Sequence, residues 1–576
     1  MQAVIFFKKI LFTFLLVSAV IPIQAQIPNI AIDEDYEDWT SVKSGYDDGQ
    51  DITDGIDLFS FKVANDKSNL YIYCQLGNEI NLVNNIFSQD LLLHFDLDAN
   101  SQTGQQIQEN YGIELSIDFL AREAYYYSGT NTVTLYFGDL GFLSAPTVST
   151  FEFEISIDLK TRVNGNNIFN TDSIGILFQE KNDGDIMPNK GDVFYYSFKE
   201  NVQTAYEPIK IEKTNNYEIR VITYNVLFNS GWAGAEKLKN LRSVAKAING
   251  DIYAFQESRS TSSAEAIDYF NTWLPIDNAT WHAKNSSDLV TVSKWPILES
   301  WTFNRHLVTL IDLPEEYGTD LLVVNNHLPC CSNNSGRQDQ VDEFCSFVRD
   351  AKSKGGEIDL ELNTPIIYLG DFNLVGFKQQ VETIMTGDIQ NTSKHGQPFL
   401  PDWDETGLAD AKPYHADENK VYTWRSFSNN RIYPPGRLDY QFYTDSRLES
   451  KKSFVLNTAT MSTDRLAKYG LDAEDTDLAA DHLPVVVDYN VLDKPTGHSN
   501  WNNTEVELFP NPAKDYVNIL VHNPIISLKI VDVMGRVYQI TNYDNMPIDV
   551  SMLNKGVYFL EISVGGDSYF KKLIIE

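Results

Sequence analysis

The sequence predicts a multidomain protein in which a β-sandwich is followed by a layered α/β domain and a small C-terminal β-sandwich. A chain of 576 residues is too long for one hydrophobic core. Its first part contains short aromatic and β-branched segments between turns, whereas its middle part alternates helical and strand patterns. The predicted domains are residues 26–213, 217–490 and 505–576, with a polar linker over 491–504.

The first 25 residues are typical of a secretory signal peptide. Lys8 and Lys9 precede an apolar run over residues 10–23, and a polar chain begins after Ala25. The run is short for a membrane span, so cleavage is favoured over an uncleaved anchor. No later segment is long and apolar enough to form a transmembrane segment. We therefore expect a protein that is secreted or held at the cell surface.

The composition limits the classes of partner. The net charge of −35 counts against tight binding to a polyanion, because phosphate binding relies on lysine and arginine. It does not exclude turnover of phosphate esters, because divalent cations and local basic side chains offset the mean field.

Four cysteines show no zinc-binding spacing: Cys74, Cys330, Cys331 and Cys345. Two interpretations stay open, a disulfide between Cys345 and one of the adjacent pair, or four free thiols.

Residues 26–213 contain short strand patterns, which predict an antiparallel β-sandwich. Its segments 32–39, 64–71 and 95–104 resemble the carbohydrate-binding family 9, which implies a polysaccharide or a cell surface as partner. Tyrosines in this region are equally explained by strand packing.

Three oxygen-bearing side chains alternate in this domain as calcium ligands do: Asp96, Asp98 and Asn100. The pattern is not an EF-hand, because Ser101 replaces the turn glycine and Ile107 stands where the bidentate glutamate belongs. A structural Ca²⁺ and a solvated acidic turn are the two alternatives.

In residues 217–490, buried-type strands over 219–224, 252–255, 321–325 and 365–369 each run into a polar motif. Helical patterns over 235–249 and 338–354 separate them. This alternation predicts a layered α/β sandwich with a site along one sheet edge.

Six motifs carry the predicted chemistry: Thr-Tyr-Asn (223–225), Gln-Glu (256–257), Asn-His-Leu (326–328), Gly-Asp-Phe-Asn (370–373), Arg-Leu-Asp-Tyr (437–440) and Asp-His-Leu-Pro (481–484). They contain carboxylates and amides, which suit a hard divalent cation, and histidines, which move protons. The set predicts metal-dependent hydrolysis at phosphorus.

The order of these motifs resembles the endonuclease/exonuclease/phosphatase superfamily, which includes deoxyribonuclease I and bacterial sphingomyelinases. The resemblance implies a deoxyribonuclease I-like, four-layer α/β sandwich. It implies Mg²⁺, with Mn²⁺ as the alternative, held by Glu257 as principal ligand, by Asn225 and by Asp481.

The same resemblance implies roles in catalysis and substrate binding. Asp371 orients or deprotonates the attacking water, and Asn373 holds a phosphate oxygen. Arg259 contacts a substrate phosphate, unless it is a solvated loop residue.

Two histidines complete the implied machinery. His482 contacts a non-bridging oxygen or activates water while Asp439 accepts its other ring N–H. His327 binds or protonates near the scissile phosphate.

Segments 509–513, 528–536 and 553–558, with Lys571 and Lys572, resemble the C-terminal sorting domain of the type IX secretion system. This implies the type IX machinery as a partner, the alternative being a small binding module.

These observations predict a secreted Mg²⁺-dependent phosphoesterase, foremost a nuclease with DNA or RNA as substrate. A sphingomyelinase-like or other phosphodiesterase or phosphatase activity is the first alternative, and an exposed aromatic hairpin near the site would favour the lipid substrate. A catalytically inert surface binding protein is the second, but it requires the loss of a motif residue and none is missing.

Overall fold

The chain divides into two compact units, Met1–Val491 and Leu492–Glu576. The computed structural model describes residues 30–52, 55–84, 86, 90–181, 184–199, 206–427, 432–492, 506–521, 525–532, 537–540, 547–564 and 567–575. The predicted signal peptide and residues 493–504 of the predicted linker lie outside these ranges. Within them, no helix combines the length and the apolar character that a membrane crossing requires.

The N-terminal part of the first unit is an antiparallel β-sandwich, as predicted. Its strands are β1 (Gly45–Asp47), β2 (Leu58–Asn65), β3 (Asn69–Ile80), β4 (Leu91–Asp96), β5 (Leu115–Asp118), β6 (Glu123–Ser128), β7 (Asn131–Tyr136), β8 (Leu143–Ala145), β9 (Thr150–Asp158), β10 (Arg162–Val163), β11 (Asn166–Asn167), β12 (Ser173–Glu180), β13 (Ile186–Met187) and β14 (Tyr195–Ser197). One sheet has the order β1-β2-β3-β9-β8 and the other β13-β12-β4-β5-β6-β7, with β14 beside β12. Phe61, Ile72, Phe95 and Ile155 fill the core between the sheets.

The α/β part of the unit begins at β15. Its strands are β15 (Ile219–Asn225), β16 (Ile252–Gln256), β17 (His282–Ser286), β18 (Leu289–Ser293), β19 (Ile297–Phe303), β20 (His306–Ile311), β21 (Leu321–His327), β22 (Ile366–Asp371), β23 (Ala409–Asp410), β24 (Asp439–Tyr443), β25 (Leu448–Val455) and β26 (Val485–Val491). Its helices are α1 (Gly234–Ile248), α2 (Ser263–Trp273), α3 (Asn334–Ala351), α4 (Gln379–Thr386), α5 (Thr392–His395), α6 (Thr463–Tyr469) and α7 (Asp475–Ala479).

Two six-stranded sheets stack between layers of helices, which confirms the predicted four-layer sandwich. The first sheet has the order β17-β18-β16-β15-β26-β25 and the second β19-β20-β21-β22-β24-β23. Val221 and Val323 lie in the core between the sheets. Helices α1 and α2 cover the outer face of the first sheet, and α3 and α4 cover that of the second.

The β-sandwich and the α/β part share a continuous apolar core. Trp39 and Tyr73 belong to the same buried cluster as Val221 and Leu369. The Trp39 indole donates to the buried Glu154 carboxylate (2.8 Å), which fixes the segment around Trp39 against the sandwich. Because apolar surface from both parts is removed from water together, the two parts stabilise each other.

The second unit is a small β-sandwich. Its strands are β27 (Val506–Phe509), β28 (Tyr516–Val521), β29 (Ile525–Asp532), β30 (Val537–Ile540), β31 (Ile548–Asp549), β32 (Gly556–Val564) and β33 (Asp567–Ile575). They form a three-stranded sheet, β27-β28-β31, and a four-stranded sheet, β30-β29-β32-β33. Val517, Leu560 and Leu573 lie in its core.

All four cysteines are free thiols in this structure. Cys345 is fully buried, and its thiol donates to the Thr383 carbonyl (3.3 Å), whereas Cys330 and Cys331 are exposed. Of the two interpretations drawn from the sequence, the structure has the one without a disulfide.

A buried ion pair joins the neighbouring strands β15 and β26 of the first sheet. The Arg220 guanidinium donates to both carboxylate oxygens of Asp488 (2.6 and 2.7 Å). It also donates to the carbonyls of Ile211 (2.7 Å) and Ile248 (2.6 Å). Arg220 is 1% exposed and Asp488 0%, so either charge left alone has no access to water.

We expect Asp488→Ala to lower the free energy of unfolding by about 3–5 kcal/mol, because it leaves the Arg220 charge buried and unpaired. Urea unfolding followed by tryptophan fluorescence measures the change. Glu449→Gln is the control, since it breaks an exposed pair with Lys451 and should leave the free energy of unfolding nearly unchanged. Equal stability of the two variants would contradict the assignment.

Candidate active site

The pairing of three strands places three of the predicted catalytic residues side by side. In the parallel pairing of β21 with β22, His327 is opposite Asp371. In the antiparallel pairing of β22 with β24, Asp371 is opposite Asp439. Directly paired residues on adjacent strands point to the same face of a sheet. The second sheet therefore presents a row of histidine, aspartate and aspartate at its edge.

The first sheet supplies the opposite wall of the site. Asn225 ends β15, and Glu257 directly follows β16 in a left-handed conformation (φ 57°). The Asn225 amide nitrogen donates to Glu257 Oε1 (3.2 Å) and to Asp371 Oδ2 (2.9 Å). The second of these bonds connects the two sheets. The Asn225 amide oxygen accepts from the Leu227 N–H (3.0 Å).

His482 is held by an acid on each side of its ring. Its Nδ1 lies 2.8 Å from Asp439 Oδ2, and its Nε2 lies 3.8 Å from Asp371 Oδ2. The Thr423 hydroxyl donates to the same Asp439 oxygen (2.7 Å). Burial of His482 favours the neutral ring, but the charges of Asp439 and Asp371 outweigh it and raise its pKa to about 10. The surrounding carboxylates therefore favour the charged form of the His482 ring.

His327 has a matching arrangement on the other side of Asp371. Its Nδ1 lies 2.8 Å from Asp288 Oδ2, and its Nε2 lies 3.6 Å from Asp371 Oδ2. The Arg305 guanidinium lies 3.3 Å from the same Asp288 oxygen and 2.6 Å from His327 Nδ1. Burial favours the neutral form of Asp288, yet the hydrogen bond and charge of His327, and the charge of Arg305, leave its pKa lowered.

Asp288 is a residue that the sequence motifs missed. It lies between β17 and β18, beyond Ser287 in a left-handed conformation (φ 55°), and belongs to none of the six motifs. The one local signal is an acid at a hairpin turn just before a buried strand. Such an acid is more often a solvated turn residue, so only the fold shows that it meets His327.

The remaining predicted residues occupy distinct positions. Asn373 is buried, and its amide nitrogen donates to the Leu328 carbonyl (3.1 Å). Asp481 Oδ2 accepts from the Trp424 indole (3.0 Å). Arg259 is exposed, two residues beyond Glu257. The fold thus gathers the acids, the amides and the two histidines, while Arg259 stands at the rim.

The donor set fits a divalent cation. Oxygen or nitrogen atoms of Asp371, Asp439 and His482 lie within 4.8 Å of one another. One oxygen each of Asp439 and Asp481 is buried without a hydrogen-bond partner. Burial, with the nearby Glu257 charge among the further causes, raises the pKa of Asp481. Clustered acids with free oxygens match what hard cations require.

Asn225 contacts this set through its amide nitrogen, and its oxygen is used by Leu227. In this arrangement Asn225 orients Glu257 and Asp371. The metal-ligand role that the resemblance implies for it requires the amide to turn.

A strained loop borders the acids on the side of Glu257. Leu227, Phe228 and Asn229 all have positive φ angles (46°, 48° and 65°), which are costly for residues with a Cβ. The Phe228 N–H donates to Glu257 Oε2 (2.6 Å), which holds this loop to the acid. The Phe228 ring is 72% exposed, so the loop displays an aromatic surface beside the site.

A second aromatic rim lies on the segment that follows Trp424, whose backbone pairs with His482. Backbone hydrogen bonds between Trp424 and Gly436 (3.0 Å) close a loop, which exposes Phe427 (48%) and Tyr433 (40%). A cavity of about 440 Å³ separates this loop from the β-sandwich. Its lining includes Gly138, Phe142, Lys420, Tyr422, Arg425 and Phe427.

Known proteins resemble this chain in two of its domains. Residues 507–576 match the model of the secretion system C-terminal sorting domain, and this type IX signal indicates secretion or attachment to the cell surface. Residues 222–463 match the model of the endonuclease/exonuclease/phosphatase family. No curated protein matches the chain.

Several solved structures are similar in part. D. rerio TDP2 complexed with single-strand DNA product is 15% identical, covering 47% of this chain and 99% of that one (TM-score 0.30). ANGEL2, a 2′,3′-cyclic phosphatase, is 16% identical, covering 50% and 99% (TM-score 0.32). A family protein from Leptotrichia buccalis is 14% identical, covering 48% and 100% (TM-score 0.30).

With the six motifs gathered at one edge of two stacked sheets, the match over residues 222–463 assigns the α/β part of this chain to the endonuclease/exonuclease/phosphatase family, whose members are phosphoesterase hydrolases.

Proposed function

We propose that the protein is a Mg²⁺-dependent phosphodiesterase that acts outside the cell, with a nucleic acid as its first candidate substrate. One observation carries the proposal. A single oxygen, Asp371 Oδ2, lies 3.6 Å from the Nε2 of His327 and 3.8 Å from the Nε2 of His482. Each histidine is oriented from behind by its own buried aspartate. Such a pair of oriented rings around one acid suits proton transfer on both sides of a phosphorus centre.

Each side chain has a definite task in this proposal. Asp371 accepts a hydrogen bond from the attacking water and takes up its proton. His482, whose charged form the surrounding carboxylates favour, donates a hydrogen bond to a non-bridging phosphate oxygen. His327 supplies a proton near the leaving oxygen, and Asn373 donates to another phosphate oxygen.

The metal would be held by Glu257 and Asp481. When bound, Mg²⁺ supplies neutralisation of the phosphate charge and stabilisation of the oxygens that gain charge during hydrolysis. It also offsets the repulsion among the acids of the site.

Phe228 supports a nucleic acid as substrate. Its exposed ring stands on the loop that holds Glu257, where a base next to the scissile phosphate could stack. Stacking of a base on an aromatic ring contributes about 1–3 kcal/mol and tolerates any sequence. Arg259, exposed on the same side, is placed to meet a neighbouring phosphate. The net charge of −35 favours weak, transient binding over tight complexes.

A lipid phosphodiester is the second candidate, because the structure contains the aromatic rim that a membrane substrate would use. Phe427 is exposed on the segment that follows Trp424, and an aromatic ring of this kind inserts at the interface of a bilayer. The acidic chain would favour a zwitterionic headgroup over an anionic one.

The first prediction concerns the assigned site. With Mg²⁺, the full-length protein should nick supercoiled plasmid, and EDTA should abolish the nicking. His482→Ala should lower the rate about 10²–10⁴-fold, because it removes a charged donor to the phosphate. His282→Ala, on β17 outside the site, is the matched control and should keep full activity. Nicking that survives in both EDTA and His482→Ala would refute the assignment.

Asp288 should act as a positioning residue through His327. We expect Asp288→Asn to lower kcat about 10–100-fold with little change in KM, because it weakens the orientation of the ring. Asp288→Glu should restore part of kcat, and the exposed Asp277→Asn should have no effect. Steady-state kinetics measure kcat and KM of each variant. Thermal unfolding, which should be unchanged, shows that the variants are folded. A kcat that Asp288→Asn leaves unaltered would exclude the role.

The two rims distinguish the two substrates. Phe228→Ala should raise KM for a single-stranded oligonucleotide about 5–100-fold, because it removes the stacking surface, and should leave sphingomyelin hydrolysis unchanged. Phe427→Ala should have the opposite pattern if the lipid is the substrate. Parallel assays on oligonucleotide, sphingomyelin vesicles and a soluble phosphomonoester make the comparison. Activity on the monoester alone would reject both substrates.

A further inference from the structure

A group of acids lies at the connection between β4 and β5 of the β-sandwich, away from the six motifs. Asp96 is the last residue of β4, and Glu114 directly precedes β5. Asp98 lies in the turn between them. One oxygen from each of the three carboxylates lies within 4.8 Å of the others. The fold thus brings together acids that are up to 18 positions apart in the sequence.

Glu114 is the member of the cluster that has a buried oxygen without a hydrogen-bond partner. It is only 9% exposed, and its Oε1 is buried without a hydrogen-bond partner. Its Oε2 accepts from the Leu97 N–H (2.8 Å). A buried carboxylate oxygen without a partner is costly unless a cation or a donor meets it. This oxygen therefore points to a ligand.

The other two acids have neutral partners. Asp96, fully buried, accepts from the N–H of Asn100 and Gly112 and from the Tyr195 hydroxyl (3.1–3.3 Å). Asp98 accepts from the Asn100 N–H and the Thr103 hydroxyl (3.0 Å each). The negative charge of the cluster is thus not balanced by these contacts.

We propose that Asp96, Asp98 and Glu114 bind one calcium ion. Calcium takes six to eight oxygen ligands in flexible geometry, so carboxylates from a turn and a distant strand end suit it, with water and main-chain carbonyls completing the shell. Magnesium requires a stricter octahedron and retains its waters. The ion would tie the turn after β4 to the start of β5.

The ligand set differs from the one that the sequence pattern predicts. The Asn100 amide oxygen accepts from the Gln102 N–H (3.1 Å), and the side chain is exposed. Glu114, at the end of the connection between β4 and β5, replaces Asn100 as the third ligand. The alternation of Asp96, Asp98 and Asn100 therefore identified the turn but missed the third acid.

Calcium binding to the full-length protein tests the proposal by thermal unfolding and isothermal titration calorimetry. All variants carry Glu257→Gln, which removes a candidate metal ligand of the active site. Millimolar CaCl₂ should raise the Tm of this parent by about 5 °C or more. Glu114→Gln and Asp98→Asn should lose that shift and bind one ion fewer. Asp48→Asn, in a second acidic cluster with Asp51 and Asp185, is the matched control. It should retain both the calcium-dependent Tm shift and the number of ions bound by the parent.

A measurement in EDTA separates an ion site from a solvated turn. Without the ion, the carboxylates repel each other, so Glu114→Gln and Asp98→Asn should unfold at the same or a higher temperature than the parent. The proposal is overturned if the parent shows no calcium-dependent shift. It is equally overturned if both variants unfold at lower temperature in EDTA and keep the full shift, because the acids would then serve only as hydrogen-bond acceptors.

Discussion

The hydrogen bond from Asn225 to Asp371 is the contact on which the catalytic arrangement depends. It is 2.9 Å long, fully buried, and connects β15 of one sheet to β22 of the other. The same Asn225 amide holds Glu257, so one side chain sets the separation between Glu257 and the row of His327, Asp371 and Asp439. Below it, the Gln256 amide donates to Asn325 (2.8 Å) across the same gap. These bridges and the Gln441 amide, which donates to the Val221 and Val485 carbonyls (3.1 and 3.2 Å) across the same interface, specify how the sheets align, since any slip would leave buried amides unpaired.

The β-sandwich contributes to this alignment from outside the α/β fold. Arg437, the first residue of a catalytic motif, is 2% exposed and pairs with Asp410 and with Glu34 at the start of the chain. The Thr147 hydroxyl donates to the Leu374 carbonyl (2.6 Å), just beyond Asn373. The N-terminal part therefore supports the loops that follow β22 and precede β24. Its apolar contacts with the α/β part make it a structural component of the enzyme, whatever ligand it binds.

Whether a site residue could be predicted from the sequence depends on its position relative to the strands. Residues at strand ends were predicted, because a buried strand that runs into a polar motif marks a sheet edge, and register then aligns His327 with Asp371. Residues that reach the site from turns were missed, because nothing local distinguishes them. Asp288 and Glu114 are both acids next to a strand start, a position that is usually solvated, and only long-range packing gives them partners. The shared core around Trp39 was hidden for the same reason, since apolar residues on a sandwich strand do not say which face they cover.

The acidic residues of the site repel one another, and this repulsion affects how the site binds ions and substrates. Glu257, Asp288, Asp371, Asp439 and Asp481 are held near one another by two rigid sheets, and two imidazoles and Arg305 offset only part of their charge. A fold that holds acids close together raises the free energy of the ion-free folded state, because the carboxylates repel one another. A cation that binds only the folded state relieves this repulsion, which increases its affinity. In the proposed reaction, a negatively charged ester would meet a site whose negative charge the ion reduces, within an otherwise repulsive surface. The negative net charge of the protein repels every anionic phosphodiester to a similar extent. We therefore expect the aromatic rims to discriminate among substrates. Phe228 and Phe427, which have no catalytic or metal-binding role in the proposal, are therefore the positions at which a change in substrate costs the catalytic machinery least.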